Sequence, residues 1–431
     1  MSKFQTVRGM RDFLPKDAAK LRLVEAAARE VAVLYGFEEA ITPLVEHHEL
    51  LTAKSGEEIK ARMYAFNDLG GRKIALRPEF TASIARLLAT SLRNEPKPLR
   101  LFSFGTLYRY DEPQFGRYRE FWQSNFEIFG SSRPEADAEV LALTNHLMQK
   151  TQLHRYWLKI GHVGILRGLL SEEGVREEKQ NFVMQLLDAK RYDEALKTAK
   201  ELGVSVKGMK ALKKALETKG KDVSKVLAQA TKGLEGYSSS VDAVDNLGQI
   251  LELCAESGLE FDFLIEAGFA RGLEYYTGMV FEVLVPEVDV SLCGGGRYDR
   301  LVELFGGEPT PAVGVAHGLD RIQLVMEKQG IAAKPSRRVI AIIPIGEETI
   351  PKALAVAHRL RKEGIATEVE VMGRTVSRAL KDADRRGADH AVILGPKELK
   401  EGKATLRNLK SREQQIVDIE KLSKELLAKK T

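Results

Sequence analysis

Cysteine and long apolar runs are scarce in this chain, and both shortages exclude classes of protein. Only two cysteines occur in 431 residues, Cys254 and Cys293, and no C-x-x-C spacing is present. A disulfide scaffold and a cysteine-rich zinc site are therefore excluded, and a reducing compartment such as the cytoplasm is expected. The longest apolar run, residues 339–345, is far too short to span a bilayer. The N-terminus also lacks the apolar segment of a secretory signal, so neither membrane insertion nor secretion is expected.

Several familiar nucleotide-binding and catalytic motifs are missing as well. The chain has no G-x-x-x-x-G-K-[ST], no G-x-G-x-x-G after a strand, no H-E-x-x-H and no G-x-S-x-G. If phosphate is bound, arginines must bind it, because guanidinium offers a rigid, permanently charged fork that matches phosphate geometry. The alternative for any single arginine is an ordinary surface charge, which the pattern alone favours for Arg321. The candidates are Arg109, Arg117, Arg119, Arg271 and Arg321.

Length and composition describe an ordinary globular protein of more than one domain. Hydrophobic residues make up 44% of the chain and charged residues 29%, which is usual for a water-exposed fold. A chain of 431 residues exceeds what one simple core organises, so two or three domains are expected. The net charge of +5 permits a nucleic-acid partner without requiring one.

Changes of pattern along the chain predict its domain organisation. Residues 1–165 contain strand–loop–strand units typical of an antiparallel sheet, and strands return over residues 242–326. Residues 166–241 between them are rich in lysine and glutamate at helical spacing, which indicates a helical insertion. A linker at 327–337 precedes residues 338–431, where strands and helices alternate. The expected fold is an α+β catalytic domain on an antiparallel sheet with a helical insertion, followed by an α/β domain with a mostly parallel sheet.

Individual elements follow from periodicity and capping. The first helix is predicted from Asp17, as its cap, to Tyr35, and a strand is predicted over 37–44. Two longer strands, 100–110 and 122–130, flank a polar loop. The other predicted elements are a hairpin (63–68 and 73–77), helices 81–92 and 300–304, strands 262–269 and 279–285, C-terminal strands 339–343, 367–372 and 390–394, and C-terminal helices 350–363 and 375–386.

Four polar residues between 79 and 127 have two interpretations each. Glu79 could hold an ammonium group, or it could lie near the positive end of a helix that Thr81 caps. Gln123 and Glu127 are four residues apart on a predicted strand, so both face the same side of the sheet. That side is either a pocket floor or a solvated face, and the neighbouring phenylalanines favour the pocket.

The most informative segment is residues 270–283, A-R-G-L-E-Y-Y-T-G-M-V-F-E-V. It places the guanidinium of Arg271 close to the phenols of Tyr275 and Tyr276, between glycines that permit a tight turn. The alternative for Tyr276, and for Tyr298 further along, is a core aromatic residue whose hydroxyl reaches water.

Five segments of the chain resemble the motifs of the histidyl-tRNA synthetases, which are class II aminoacyl-tRNA synthetases, and they occur in the order found in that family. The likeness covers nearly the whole chain, although the helical insertion matches only in position and character. Glu274 and Asp320 depart from the usual family residues, aspartate and glutamate, by one methylene each. The segments are Gly36–Pro43 (motif 1), Phe104–Glu127 (motif 2), Ala312–Arg321 (motif 3), and the family signatures Arg271–Gly278 and Leu292–Asp299.

The resemblance implies roles for the arginines. Arg109 would bind the α-phosphate of ATP, with Arg117 and Arg321 on the β- and γ-phosphates. Arg271 would lie against the α-phosphate and promote attack by the histidine carboxylate, so Arg271 and Arg109 are the implied catalytic residues. Mg²⁺ would accompany the phosphates, and no set of protein residues is predicted as a metal site.

The resemblance also implies a histidine pocket. Glu79, Thr81 and Gln123 would hold the ammonium and carboxylate groups of the amino acid, with Arg271 beside them. The imidazole would be recognised by a carboxylate and phenols, since one ring nitrogen can donate and the other accept. These residues are Glu127, Tyr276 and Tyr298.

The implied protein is a histidine–tRNA ligase that converts ATP to AMP and pyrophosphate, with tRNA(His) as partner and a homodimer built on motif 1. One alternative is the non-catalytic, histidine-binding regulatory subunit of ATP phosphoribosyltransferase, which resembles the catalytic domain only. The intact R-G-L-E-Y-Y-T-G segment and the C-terminal domain, which resembles an anticodon-binding module, count against it. A generic RNA-binding protein would leave the pocket residues unexplained.

Overall fold

The computed structural model describes residues 4–53, 57–271, 274–331 and 339–428. The chain divides into two compact units, Met1–Ala333 and Lys334–Thr431.

The strands of the first unit are short near the N-terminus and long where the site lies. They are β1 (Glu38–Glu39), β2 (Val45–His47), β3 (Ala65–Asn67), β4 (Lys73–Leu76), β5 (Leu99–Tyr108), β6 (Glu120–Phe129), β7 (Trp157–His162), β8 (Lys219–Gly220), β9 (Phe263–Glu266), β10 (Met279–Val285), β11 (Val288–Arg297) and β12 (Ala312–Gly318).

The helices of the first unit pack around these strands. They are α1 (Pro15–Leu34), α2 (His48–Thr52), α3 (Glu57–Ala61), α4 (Thr81–Ala89), α5 (Pro134–Lys150), α6 (Val163–Glu172), α7 (Glu177–Asp188), α8 (Tyr192–Glu201), α9 (Val206–Glu217), α10 (Val223–Gly233), α11 (Ser238–Glu256), α12 (Leu301–Leu304) and α13 (Leu319–Lys328).

In the described part of this unit, nine strands form one sheet in the order β1-β5-β6-β12-β11-β10-β7-β9-β8. The run from β5 to β7 is antiparallel throughout, which confirms the predicted antiparallel sheet, while β1–β5 and β7–β9 are parallel pairs. Strands β3 and β4 form the hairpin predicted at 63–68 and 73–77, and β2 pairs with β4 to complete a separate small sheet.

Side chains alternate across the central strands, and this alternation separates core from site. On β6, Phe126 and Ile128 are fully buried in the core that α1, α5 and α13 cover. Glu127 lies between them and therefore faces the opposite side, towards α4. Opposite it in register stand Leu101 on β5 and Gly314 on β12.

Several local predictions need correction. The first helix begins at Pro15, with Leu14 at the cap position, so Asp17 lies in the first turn and does not cap. The strand expected at 37–44 is only β1, because the chain leaves the sheet after Glu39. The long strands β11 and β12 were missed, since the triple glycine within β11 and the glycines of β12 obscure their strand character.

The helical region is present, although its extent as a domain stays a prediction. Residue 166 lies inside α6 and residue 241 inside α11, and the first compact unit does not divide there. Its helices share a core with α4, through residues such as Ile84, Leu166 and Leu212. Of the predicted linker at 327–337, residues 332–337 lie outside the described residues.

The second unit has the predicted alternation of strands and helices, but its sheet is mixed. The order is β14-β13-β15-β16-β17, with the first three strands parallel and the last two antiparallel. Buried residues such as Ile342, Leu360 and Val392 form its own core. The elements are β13 (Ile340–Pro344), α14 (Ile350–Lys362), β14 (Thr367–Val369), α15 (Val376–Arg385), β15 (His390–Leu394), α16 (Pro396–Lys400), β16 (Lys403–Asn408), β17 (Gln414–Asp418) and α17 (Leu422–Ala428).

Among the described residues, no helix is both long enough and apolar enough to cross a membrane.

Candidate active site

A cavity of about 330 Å³ opens on the face of the large sheet that carries Glu127. Its walls come from β6, β11 and β12, from the loop between β5 and β6, and from the segment after Arg271. The structure brings every residue to which the family resemblance assigns a role to this one cavity. They are Glu79, Thr81, Arg109, Arg117, Gln123, Glu127, Arg271, Tyr276, Tyr298 and Arg321.

Arg109 and Arg321 are held by backbone carbonyl groups, which carry no full negative charge to compensate the guanidinium groups. Arg109 donates from Nε to the carbonyl of Pro78 at 2.9 Å. Arg321 donates to the carbonyls of Gly116 at 3.0 Å and Ser291 at 2.7 Å. Burial, followed by repulsion from Arg109 and Arg117, lowers the pKa of Arg321 to about 10. The surface-charge interpretation of Arg321 is therefore wrong.

Arg117 and Arg271 complete the positive wall. The Nε of Arg117 is buried and has no hydrogen-bond partner among the described residues. Arg271 donates from Nη1 to the carbonyl of Phe281 at 3.3 Å and lies 3.5 Å from the carboxylate of Glu282. Arg119, the remaining phosphate candidate, is buried elsewhere: it donates to the carbonyl of Asp111 and stacks on Tyr110.

Glu79 lies just before α4, whose cap residue is Phe80, and its carboxylate binds the first N–H groups of that helix. Thr81 has a different partner from the one expected. The Glu79 carboxylate accepts from the backbone N–H of Thr81 at 2.6 Å and of Ala82 at 2.8 Å. The interpretation with Glu79 near the positive end of this helix agrees with the structure, but Thr81 is the first helical residue and not the cap, and its hydroxyl donates to Glu127 at 2.8 Å. Burial raises the pKa of Glu79, although the two backbone N–H groups oppose that shift.

Glu127 is the most enclosed carboxylate of the cavity, with 1% of its surface exposed. Its Oε1 accepts from Thr81, and its Oε2 accepts from the Tyr298 hydroxyl at 2.5 Å. Asn125, at 3.4 Å, is a weaker donor. Burial raises the pKa of Glu127 to about 7, while these hydrogen bonds act against the shift. The group can thus bind a cationic or N–H-donating ligand near neutral pH.

The phenols form the cavity's third side. Tyr276 is buried, and burial raises the pKa of its hydroxyl to about 12, so the group stays protonated and can donate. Tyr275 packs edge-on against Tyr298, with ring centroids 5.5 Å apart. Gln123 adds a buried side-chain oxygen that lacks a hydrogen-bond partner among the described residues.

Two glycines allow charged groups to enter the sheet face. A Cβ on Gly294 would lie 2.2 Å from Nη1 of Arg271, and a Cβ on Gly314 would lie 1.6 Å from Oε2 of Glu127. Each glycine therefore leaves the space that a functional group occupies. This is the physical reason for glycine at these two strand positions.

Some cavity residues could not be identified from the sequence. Arg62 and Asp111 form an ion pair at 3.2 Å beside Arg109, and Asn125 lies next to Glu127. Gln185 and Asp188 come from α7, in the helical region, where their lysine- and glutamate-rich context gave no signal. Tyr275 was visible as a neighbour of Tyr276 in the quoted segment. Gly272 and Leu273 of that segment lie outside the described residues.

Chemically, the cavity separates two functions. One wall presents several guanidinium groups, which suit a polyphosphate. The other presents buried carboxylates, an amide and phenols, which suit a small ligand with N–H donors and one acceptor. The first unit has an antiparallel sheet, with Arg109 directly after β5 and Arg321 on the helix that follows β12. A separate α/β unit follows it in the sequence. Together these features define a class II aminoacyl-tRNA synthetase.

Comparison with known proteins identifies the family within that class. The family model for histidyl-tRNA synthetase matches residues 9–322, and the model for the anticodon-binding domain matches residues 339–429. The chain belongs to the histidyl-tRNA synthetase family.

Individual relatives match over their full length. A histidine–tRNA ligase of Methanocaldococcus jannaschii is 42% identical over 423 residues, which are 97% of this chain and 99% of the relative. The crystal structure of histidyl-tRNA synthetase from Nostoc sp. PCC 7120 has a TM-score of 0.80 at 25% identity and covers 100% of both chains. A Bacillus halodurans structure described as an ATP phosphoribosyltransferase regulatory subunit/histidyl-tRNA synthetase has a TM-score of 0.77 at 25% identity, covering 92% of this chain and 99% of its own.

Proposed function

We infer that this chain is a histidine–tRNA ligase: it activates L-histidine with ATP and transfers the histidyl group to the 3′ end of tRNA(His). The observation that carries this function is the convergence of the arginine wall and the Glu127 pocket on one cavity. Family membership and full-length relatives named histidine–tRNA ligase support it. The regulatory-subunit alternative is weaker, because the chain also has the anticodon-binding domain and matches a ligase over 97% of its length.

In the activation step, the histidine carboxylate attacks the α-phosphorus of ATP and pyrophosphate leaves. No protein base is needed, because the carboxylate is already ionised at neutral pH. Negative charge that develops on the phosphate oxygens is stabilised by positioned cations. We assign Arg109 and Arg271 to the α-phosphate, and Arg117 and Arg321 to the β- and γ-phosphates. The repulsion among Arg109, Arg117 and Arg321 supports this assignment, since a polyanion would relieve it.

Histidine is recognised in the carboxylate-lined part of the cavity. One imidazole N–H donates to Glu127, and the other ring nitrogen accepts from the Tyr276 hydroxyl. The Tyr298 hydroxyl donates to Oε2 of Glu127 and so fixes the position of that carboxylate. Glu79, Thr81 and Gln123 bind the ammonium and carboxylate groups, next to Arg271. An apolar or amide analogue would leave these buried groups unpaired, which is how such a pocket rejects it.

Mg²⁺ is proposed to enter on the triphosphate. Mg²⁺ prefers substrate phosphates with one or two carboxylates over an all-protein site. The described residues contain no group of three or more His, Cys, Asp or Glu that could hold a metal. Asp111, a lining carboxylate near Arg109, would be the protein ligand. The ion would neutralise phosphate charge during displacement of pyrophosphate.

A histidine-dependent ATP–pyrophosphate exchange assay tests the activation step. The purified chain should catalyse exchange with histidine and not with glutamine or phenylalanine. Arg271→Ala should lower the exchange rate by about 100- to 1000-fold, the range for loss of one positioned donor, with a smaller effect on histidine binding. An absence of histidine-dependent exchange would contradict the proposal, and an unchanged rate in Arg271→Ala would remove its catalytic role.

The C-terminal unit is proposed to bind tRNA, as its family-model match to an anticodon-binding domain suggests. The unit has its own buried core, so residues 338–431 can be tested alone. They should bind tRNA with an affinity that falls with salt. Salt-independent binding, or none, would contradict this role.

A homodimer is proposed to form through the region of motif 1. Large apolar side chains are exposed there, notably Ile41 at 87%, Val33 at 74% and Leu34 at 61%. Larger exposed apolar patches mark protein interfaces, and we propose that these three side chains contribute to one. Light scattering should give twice the mass of the chain, and Ile41→Asp should shift the measured mass towards that of the monomer.

A cytoplasmic location is proposed as well, supported by the two unpaired cysteines.

A further inference from the structure

The segment Glu274–Thr277, which carries Tyr276, separates the active-site cavity from a second cavity. That second cavity has a volume of about 440 Å³ and is bounded on its far side by α6 and α7. Tyr275 and Tyr276 line both cavities. Because space lies on both sides of the segment, packing alone constrains it less than it constrains a core strand, and its polar contacts decide where it lies.

Two side chains, Thr277 and Glu274, hold the segment at its ends through three hydrogen bonds. Thr277 donates to the carboxylate of Asp299 at 3.0 Å. At the other end, Glu274 accepts from Gln185 Nε2 at 2.9 Å and from Asn181 Nδ2 at 3.3 Å. Asn181 and Gln185 are one helical turn apart on α7, so both reach Glu274 from the same face of that helix.

The contact to α7 is itself supported from a second helix. Arg167 of α6 donates to Oδ1 of Asn181 at 2.9 Å and approaches the Glu274 carbonyl at 3.5 Å. This fixes the Asn181 amide so that its nitrogen faces Glu274. Gln185 also lines the active-site cavity, so the helix that holds the segment is part of the wall of the site.

We propose that Asn181 and Gln185 of the helical region are positioning residues for histidine: they hold Glu274 and, through it, the phenol of Tyr276. This gives the helical region a direct role in amino-acid recognition. The inference rests on the proposed contact between Tyr276 and the imidazole. Arg271 lies outside the arrangement, since its guanidinium is held by Phe281 and Glu282 on β10.

The test is steady-state kinetics of histidine-dependent pyrophosphate exchange with the full chain. Glu274→Ala and the double variant Asn181→Ala/Gln185→Ala should each raise the KM for histidine about tenfold or more, the cost of losing hydrogen bonds to a charged group. The KM for ATP should stay unchanged, because Arg109, Arg117 and Arg321 lie on other elements and the Arg271 guanidinium is held by β10. Combining all three substitutions should add little, since they break one network. Glu274→Gln, which keeps one good acceptor, should be intermediate.

Glu173→Gln is the matched control, because Glu173 joins helices of the same region to one another without contacting the segment. It accepts from Ser205 N at 2.7 Å and Ser205 Oγ at 2.9 Å, and from the Tyr237 hydroxyl. This variant should keep the wild-type KM for histidine. An equal rise in KM there would attribute the effect to general loosening of the helices and overturn the proposal.

Tyr276→Phe separates failure of the inference from failure of the proposed function. If Tyr276→Phe raises the KM for histidine and Glu274→Ala does not, the positioning role is refuted and the imidazole contact stands. If Tyr276→Phe leaves that KM unchanged, the contact is refuted, and the positioning role with it. Thermal unfolding of each variant should remain cooperative, which excludes misfolding as the cause.

Discussion

Gly294→Ala should impair catalysis without impairing the fold. A Cβ at this position of β11 would lie 2.2 Å from Nη1 of Arg271 and 2.5 Å from its Cζ and Nη2. Ordinary contacts are roughly 3.5 Å, so the guanidinium must move by about 1 Å or more. The atoms in the way are the far end of a flexible side chain, so the fold can accommodate the methyl group. Arg271 would give up its contacts with Phe281 and Glu282, at 3.3 and 3.5 Å.

The size of the effect follows from this displacement. A misplacement of about 1 Å at a catalytic group can cost about 100-fold in rate, so Gly294→Ala should lower the exchange rate by that factor. Its free energy of unfolding should change by less than about 1 kcal/mol, since only the tip of one side chain is moved. Pyrophosphate exchange and urea unfolding measure the two quantities on the same sample.

A double variant shows whether the effect passes through Arg271. With Arg271→Ala in the background, the added methyl group has nothing to displace, so Gly294→Ala should cost nothing further. Gly248→Ala, on helix α11 away from the cavity, is the control for a glycine substitution as such. The reasoning is refuted if Gly294→Ala exchanges at the wild-type rate, or if its effect persists undiminished without Arg271.

Three further substitutions have expected outcomes. Gly314→Ala should raise the KM for histidine at least about tenfold and destabilise the fold by about 1–3 kcal/mol. The added Cβ would lie 1.6 Å from Oε2 of Glu127 and 2.6 Å from the carbonyl oxygen of Phe126. Steady-state kinetics measures the first effect and urea unfolding the second. Burial raises the pKa of Glu127 from 4.5 to about 7, so the unfolded chain ionises first and stability falls as pH rises through that window. Glu127→Gln should remove on the order of 3 kcal/mol of that fall, measured by urea unfolding below and above the window. Asp137→Ala would leave the buried Arg297 without its main partner, at 2.5 Å, and should cost about 3–5 kcal/mol in urea unfolding; a cost below about 1 kcal/mol would contradict this.

Residue spacing predicted those features of the site that depend on a short stretch of chain. The period of two along a strand placed Gln123 and Glu127 on one sheet face, and both line the cavity. Their strand and its neighbour pair in the antiparallel manner expected for two strands that flank a polar loop. The strand predicted over 37–44 was too long, because spacing does not show that the chain leaves the sheet after Glu39, and the glycines of β11 hid a strand that was missed.

Features that depend on distant neighbours could not be predicted from spacing. Arg321 looks like a surface charge on a helix, but its guanidinium turns into the cavity, where the carbonyls of Gly116 and Ser291 accept from it. Thr81 suits a helix cap by residue type, but its hydroxyl turns to Glu127, 46 positions away in sequence. Gln185 enters the cavity from the helical region, where nothing local distinguishes it from other polar helix residues.

The cavity illustrates why a site of this kind is costly to the free protein. Burial lowers the pKa of Arg321 to about 10, and repulsion from Arg109 and Arg117 contributes to that shift. Backbone carbonyls satisfy individual N–H groups without neutralising the charge. Pairing each arginine with a carboxylate would stabilise the fold, but those carboxylates would then compete with the phosphates. The uncompensated charge is therefore consistent with selection for binding a polyanion over selection for stability.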